Sequence, residues 1–179
     1  MREGLDTTKL QAFIQEIGKA ARGPGRVYLV GGATALLLGI RDQTIDIDIK
    51  LDPEPQGIFE AIAVLKERLG LNVELASPDQ FIPALPGWQG RSEYVTTVGE
   101  VEFYHYDFYG QALAKILRGH GNDLSDALAL VELAKVDLIK LKSLFQEIQP
   151  QLIRYPAVTP QHFRDRVEMF MQEISSHEK

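Results

Sequence analysis

Two aspartates one residue apart, Asp46 and Asp48, lie in "TIDIDIKL" (44–51), where Ile45, Ile47 and Ile49 alternate with Asp46, Asp48 and Lys50. This is the period of a half-buried strand, and it sets both carboxylates on one face with their Cα atoms roughly 6.5 Å apart. Carboxylates so placed can converge on a shared cation. Oxygen-only ligands suit Mg²⁺, which takes one or two protein carboxylates and completes its shell with water and substrate phosphates. Upstream, Gly31-Gly32 joins the β-prone "RVYLV" to the apolar "ATALLL". A strand that turns through two glycines into a helix leaves backbone N–H groups pointing outward, where the helix dipole also favours an anion. Thr34 adds a hydroxyl donor. The two halves together describe a metal–triphosphate site; separately, they are a tight turn and a solvated acidic sheet face. No Gly-Lys-Ser/Thr follows, and there is no third glycine, so neither a Walker loop nor a dinucleotide fingerprint is present.

The elements that must position these residues follow from the hydrophobic pattern. Leu10, Phe13, Ile14 and Ile17 mark a helix over 7 to about 20, with Thr7 or Thr8 near its cap and "RGPG" ending it. Strand 26–30, the glycine turn, a helix from Ala33 to Leu38 and strand 44–51 come next. After "DPEPQG", Ile58, Ile62 and Leu65 mark a helix over 57–69, and "LNVELA" is a third strand. "SPDQFIPALPGWQGR" (77–91) reads as an irregular loop, and "YVTTVGEVEFYHYDF" (94–108) as a hairpin about Gly99. From Tyr109 the pattern is helical to the end, the last helix having Thr159 as cap and Pro160 at its first position. The expected fold is therefore α/β (α+β), a small mixed sheet flanked by helices followed by a C-terminal helical domain. The expected division is 1–108 and 109–179.

The chain has 179 residues, 45% of them hydrophobic, and a formal net charge of −6. That balance disfavours broad adhesion to polyphosphate or an anionic membrane. Having no cysteine, it has no disulfide framework, thiolate metal site or cysteine nucleophile, which suits a reducing cytoplasm. The four histidines are scattered without zinc-ligand spacing. No stretch has the apolar length of a membrane span, and the first residues do not read as a signal peptide, so the expected location is cytoplasmic.

Taken in order, "VGGATALLLGIRDQTIDIDIK" resembles the signature of the polymerase-beta-like nucleotidyltransferase superfamily: Gly-Gly or Gly-Ser, a helix, then Asp-x-Asp on the next strand. It is most similar to bacterial nucleotidyltransferase-like proteins related to the abortive-infection and type IV toxins, through Gly31, Gly32, Arg41, Thr44, Asp46 and Asp48. It departs from the pattern at Ala33, where many members carry serine.

The resemblance implies transfer of a nucleoside monophosphate from an NTP to an acceptor hydroxyl. Two Mg²⁺ ions, or Mn²⁺, would sit on Asp46, Asp48 and a third carboxylate, for which "VEFY" offers Glu102 as the first choice and "EVEFYHYDF" also Glu100 and Asp107 at the strand edges. The glycines and Thr34 would cradle phosphate. Arg41 would reach phosphate or pair with an aspartate. "FYGQALAKILRGHGNDLSDALAL" matches a segment that would put Lys115 on the triphosphate and Asp126 beside it, with Arg118 and Asp123 in matching places. The plainer readings are an exposed hairpin glutamate for Glu102, a solvated lysine for Lys115 and a helix cap for Asp123. By analogy, the acceptor is RNA, such as a tRNA end, or a protein, and an antitoxin is the implied partner. Lys50, Arg91, Lys115 and Arg118 could form a basic patch for RNA. A small-molecule acceptor and a catalytically idle binding module are the alternatives. A third acidic side chain within reach of Asp46 and Asp48 favours the enzyme.

Overall fold

The computed structural model describes residues 4–179, which form two compact units. The first runs to Ser77 and resumes over Ser92–Tyr106; the second comprises Pro78–Arg91 and Asp107–Lys179.

The first unit carries α1 (Thr7–Ala20), β1 (Gly25–Val30), α2 (Gly32–Leu37), β2 (Asp46–Leu51), α3 (Ile58–Leu69) and β3 (Asn72–Leu75). The hairpin β4 (Glu93–Val98) and β5 (Val101–His105) follows the excursion into the second unit. The five strands form one mixed sheet in the order β3-β2-β1-β5-β4. β1 is antiparallel to β2 and parallel to β5, so the strand after the glycine turn and the second strand of the hairpin flank it. One sheet face supplies Val27, Leu29, Ile47, Ile49, Val73 and Phe103 to a core completed by Leu10, Phe13 and Ile17 of α1 and Ile58, Ile62 and Leu65 of α3. Each large apolar side chain buried there contributes about 1.5–3 kcal/mol. The same alternation leaves Asp46, Asp48 and Lys50 on the other face. Thr44 falls outside β2 and pairs with Leu5 in an isolated antiparallel bridge. The cap of α1 is Asp6, whose carboxylate accepts from Lys9 N at 2.9 Å, rather than Thr7 or Thr8. An ionised carboxylate is the stronger acceptor at a helix N-terminus.

The second unit is helical: a short turn α4 (Trp88–Arg91), α5 (Phe108–Arg118), α6 (Asp123–Glu132), α7 (Leu138–Ile148), a 3₁₀ segment (Gln149–Arg154) and α8 (Pro160–His177). α5 packs against α6, α7 and α8. Phe163 of α8 meets Phe145 of α7 with ring centroids 4.8 Å apart. Segment 78–91 joins this unit through Arg91, whose guanidinium donates to both oxygens of the fully buried Asp107 at 3.2 and 2.7 Å and to Pro86 O at 2.7 Å. Asp107 also caps α5 by accepting from Tyr109 N.

Candidate functional site

The turn between β1 and α2 is made by Gly31 at φ +58°, ψ −122°, a conformation that a β-carbon makes costly. The bare α-carbon also has a neighbour: a β-carbon built there would lie 3.3 Å from Asp48 Oδ2. The antiparallel pairing of Val30 with Asp48 causes this approach, since it brings the aspartate level with the end of β1, where the chain reverses. Gly32 has a different task. A β-carbon on it would run into the Thr44 hydroxyl and stand 2.7 Å from Thr44 Cβ. Thr44 cannot easily retreat, because its N–H and C=O both bond to Leu5, at 2.9 and 2.7 Å. Gly31 thus faces the aspartate, whereas Gly32 permits close packing. At six residues α2 aligns few peptide dipoles, so backbone shape distinguishes this turn more than a macrodipole does.

Thr34 is 3% exposed. Its hydroxyl donates to Leu29 O at 3.1 Å and lies 3.0 Å from His105 Nδ1. A hydroxyl has one proton, so with that proton on Leu29 the ring donates Nδ1–H to Oγ1. The bonds tie the end of β1, the first turn of α2 and the end of β5 together. The hydroxyl expected to meet phosphate is therefore turned inward. Ala33 is fully buried in the core, which accounts for a side chain without a hydroxyl at that position.

Asp46 and Asp48 are partly exposed on β2. The parallel register sets Asn72 beside Asp46 and Glu74 beside Asp48. Paired residues of adjacent strands share a face about 4.8 Å apart. Asn72 Nδ2 donates to Asp46 Oδ1 at 2.5 Å and to Glu74 Oε1 at 2.9 Å. Asn72 and Glu74 were not among the residues that the sequence pointed to. "NVEL" reads as a strand with alternating polar positions, but which strand it lies beside is a tertiary fact.

Glu102 is not brought to Asp46 and Asp48. It pairs with Arg26, while Asp48 pairs with Val30, and β5 and β2 lie on opposite sides of β1. Four residues along β1 are roughly 13 Å, and two strand spacings add about 10 Å across the sheet. Its carboxylate instead accepts from Arg26 Nε at 2.9 Å and from the Tyr104 hydroxyl at 3.1 Å. Burial first, then the hydrogen bond and charge of Glu102, raise the Tyr104 phenol above its ordinary pKa. Tyr28, Tyr94 and Tyr106 pack about this group, with ring centroids 5.6 to 6.3 Å apart.

Arg41 follows α2, partly exposed, with its N–H on Ala35 O. In the second unit, Lys115 Nζ donates to Asp126 Oδ2 at 2.9 Å and stands 3.8 Å from Asp123. Arg118 holds Asp123 through two bonds of 2.6 Å. Burial pushes the Asp123 carboxyl up. The hydrogen bonds and charge of Arg118, the His120 N–H and the charge of Lys115 outweigh that effect, so it titrates below the ordinary carboxylate range. Asp123 is the first residue of α6 rather than its cap, which is Asn122. Arg91, Lys115 and Arg118, expected to contribute to a basic patch, each pair with a buried carboxylate, although the Arg118 side chain stays 63% exposed.

Among the described residues no three His, Cys, Asp or Glu side chains are grouped ready to hold a metal, and no helix is long and apolar enough to cross a membrane. A family model described as nucleotidyltransferase of unknown function (DUF6036) matches residues 8–174. No curated protein and no solved structure matches the chain.

Proposed function

Since the chain belongs to that nucleotidyltransferase family, we propose that it moves a nucleoside monophosphate from an NTP to an acceptor hydroxyl, using the polar face of the first unit's sheet. The observation that carries this reading is the close approach of the Asp48 carboxylate to the Gly31 turn, where a β-carbon would lie 3.3 Å from Asp48 Oδ2. A phosphate chain lying against a bare backbone turn would there meet the acidic residue that handles its counter-ion.

The donors fit Mg²⁺: carboxylate oxygens on one face, with Asp46 and Asp48 supplying the one or two protein ligands that this ion ordinarily takes. When bound, Mg²⁺ supplies charge neutralisation to the triphosphate and its leaving pyrophosphate. The chain's own part is positional. The Gly31 turn admits phosphate to close approach, Asp46 and Asp48 hold the ion, and Glu74 stands in register beside Asp48 without completing a three-carboxylate group. Thr34 braces the turn from inside. By its resemblance to the toxin-related proteins, the acceptor is RNA or protein and the setting a toxin–antitoxin pair.

The second reading is a module of the same fold that binds nucleotide and transfers nothing. The pairing of Glu102 with Arg26, which removes the expected third ligand, favours it.

The test incubates purified protein with each labelled NTP, Mg²⁺ and total RNA, lysate protein or small hydroxylated acceptors, with and without EDTA, beside Asp46→Asn and Asp48→Asn variants. Transfer that needs Mg²⁺ and both aspartates supports the enzyme. Transfer persisting in both variants overturns the site. NTP binding with no transfer to any acceptor supports the second reading.

A further inference from the structure

Asn72 opens β3 in register with Asp46, and its amide nitrogen reaches two carboxylates at once: Asp46 Oδ1 at 2.5 Å and Glu74 Oε1 at 2.9 Å. A primary amide has two N–H protons, so each carboxylate takes one. Asp46 and Glu74 carry like charges on one sheet face and repel each other. A lysine or arginine bridging them would cancel that charge and compete with an incoming cation. An amide holds them by hydrogen bonds and leaves their charge intact. It also engages Asp46 through one oxygen only, and a carboxylate has acceptor capacity beyond a single partner.

We propose that Asn72 is a positioning residue that sets the divalent-cation affinity of this face: it fixes the Asp46 carboxylate and keeps Glu74 alongside without neutralising either. This rests on the reading that Asp46 and Asp48 bear the metal. The physical basis is general, since a ligand whose orientation is fixed by an outer hydrogen bond loses less freedom on binding, and removing such partners typically weakens metal affinity about 10–100-fold.

The test uses Mn²⁺ alone as probe, its binding to the full chain followed by the electron paramagnetic resonance of the free ion. Wild type, Asp46→Asn, Asn72→Ala and the near-isosteric Asn72→Leu are compared, with thermal melts to show that each is folded. The expected result is binding by wild type, loss in Asp46→Asn, and about 10–100-fold weaker binding in both Asn72 variants. Binding within about twofold of wild type in a folded Asn72 variant overturns the positioning role and leaves the metal site standing. A wild type that binds no Mn²⁺, or an Asp46→Asn variant that binds equally well, overturns the metal site itself and the proposal with it. A second measurement needs no variant. The Asn72 side-chain amide resonances of wild type, followed by NMR during Mg²⁺ addition, should shift in step with saturation. Resonances that stay fixed while Mg²⁺ binds overturn the proposal.

Discussion

The Asp48 carboxylate faces the bare α-carbon of Gly31: the place of a β-carbon on that glycine is 3.3 Å from Asp48 Oδ2, and Gly31 itself is held at φ +58°. One turn thus meets two demands, a backbone reversal that disfavours side chains and a surface that leaves room beside the aspartate.

Gly31→Ala should therefore fail in two ways. The backbone conformation costs about 1–3 kcal/mol with a β-carbon present, which a thermal melt would register. The methyl group also presses on Asp48 Oδ2, so divalent-cation affinity should fall. A variant as stable as wild type would show that the turn tolerates a side chain.

Asp46→Asn and Asp48→Asn should each lower nucleotidyl transfer by about a hundredfold or more, since each removes charge where the phosphates' counter-ion is held. Stability should change by only about 0.5 kcal/mol, as expected for partly exposed positions. Melting curves beside label-transfer rates separate these effects.

Glu102→Gln should leave transfer nearly unchanged. Its carboxylate is bound to Arg26, with both side chains about 40% exposed, and exposed pairs contribute about 0–1 kcal/mol. A large loss of rate would restore Glu102 to the site.

Thr34→Val tests the inward hydroxyl. Losing the hydroxyl removes one bond to the Leu29 carbonyl, which keeps the Tyr106 N–H, and one to His105 Nδ1, at a cost of about 0.5–1.5 kcal/mol. The KM for NTP should stay close to wild type, whereas a direct phosphate contact would raise it.

Asp123 gives a pH signature. Its folded pKa lies below the ordinary value, so its stabilisation is present above the unfolded carboxylate's pKa of about 3.9 and is lost as pH falls through the lower, folded value. Asp123→Asn should destabilise the protein at neutral pH by about 1–3 kcal/mol, less than a fully buried pair because Arg118 remains solvated. The two proteins should converge in acid. A gap that persists at low pH would mean that packing, rather than the ion pair, holds this turn.

Most elements were legible because each is written in a local period. The alternation of Ile47 and Ile49 with Asp46 and Asp48 gives a strand and two faces wherever it sits in a chain. Gly31-Gly32 between an apolar strand and an apolar helix likewise marks a turn. Helix caps were less legible, because Asp6 and Thr7 compete within one residue and only geometry decides between them.

What the sequence determined alone was which side chains share a face and which backbone positions need a missing β-carbon, properties set by periods of a few residues. Strand order and register are different in kind, since they depend on how distant segments bury their apolar faces together. Only the tertiary structure could set β5 on the far side of β1 and so carry Glu102 away from Asp46 and Asp48. Only it could lay β3 beside β2, bringing Asn72 and Glu74 to those aspartates. And only packing could turn the Thr34 hydroxyl inward, where, screened from solvent, it must donate to Leu29 O and accept from His105 Nδ1.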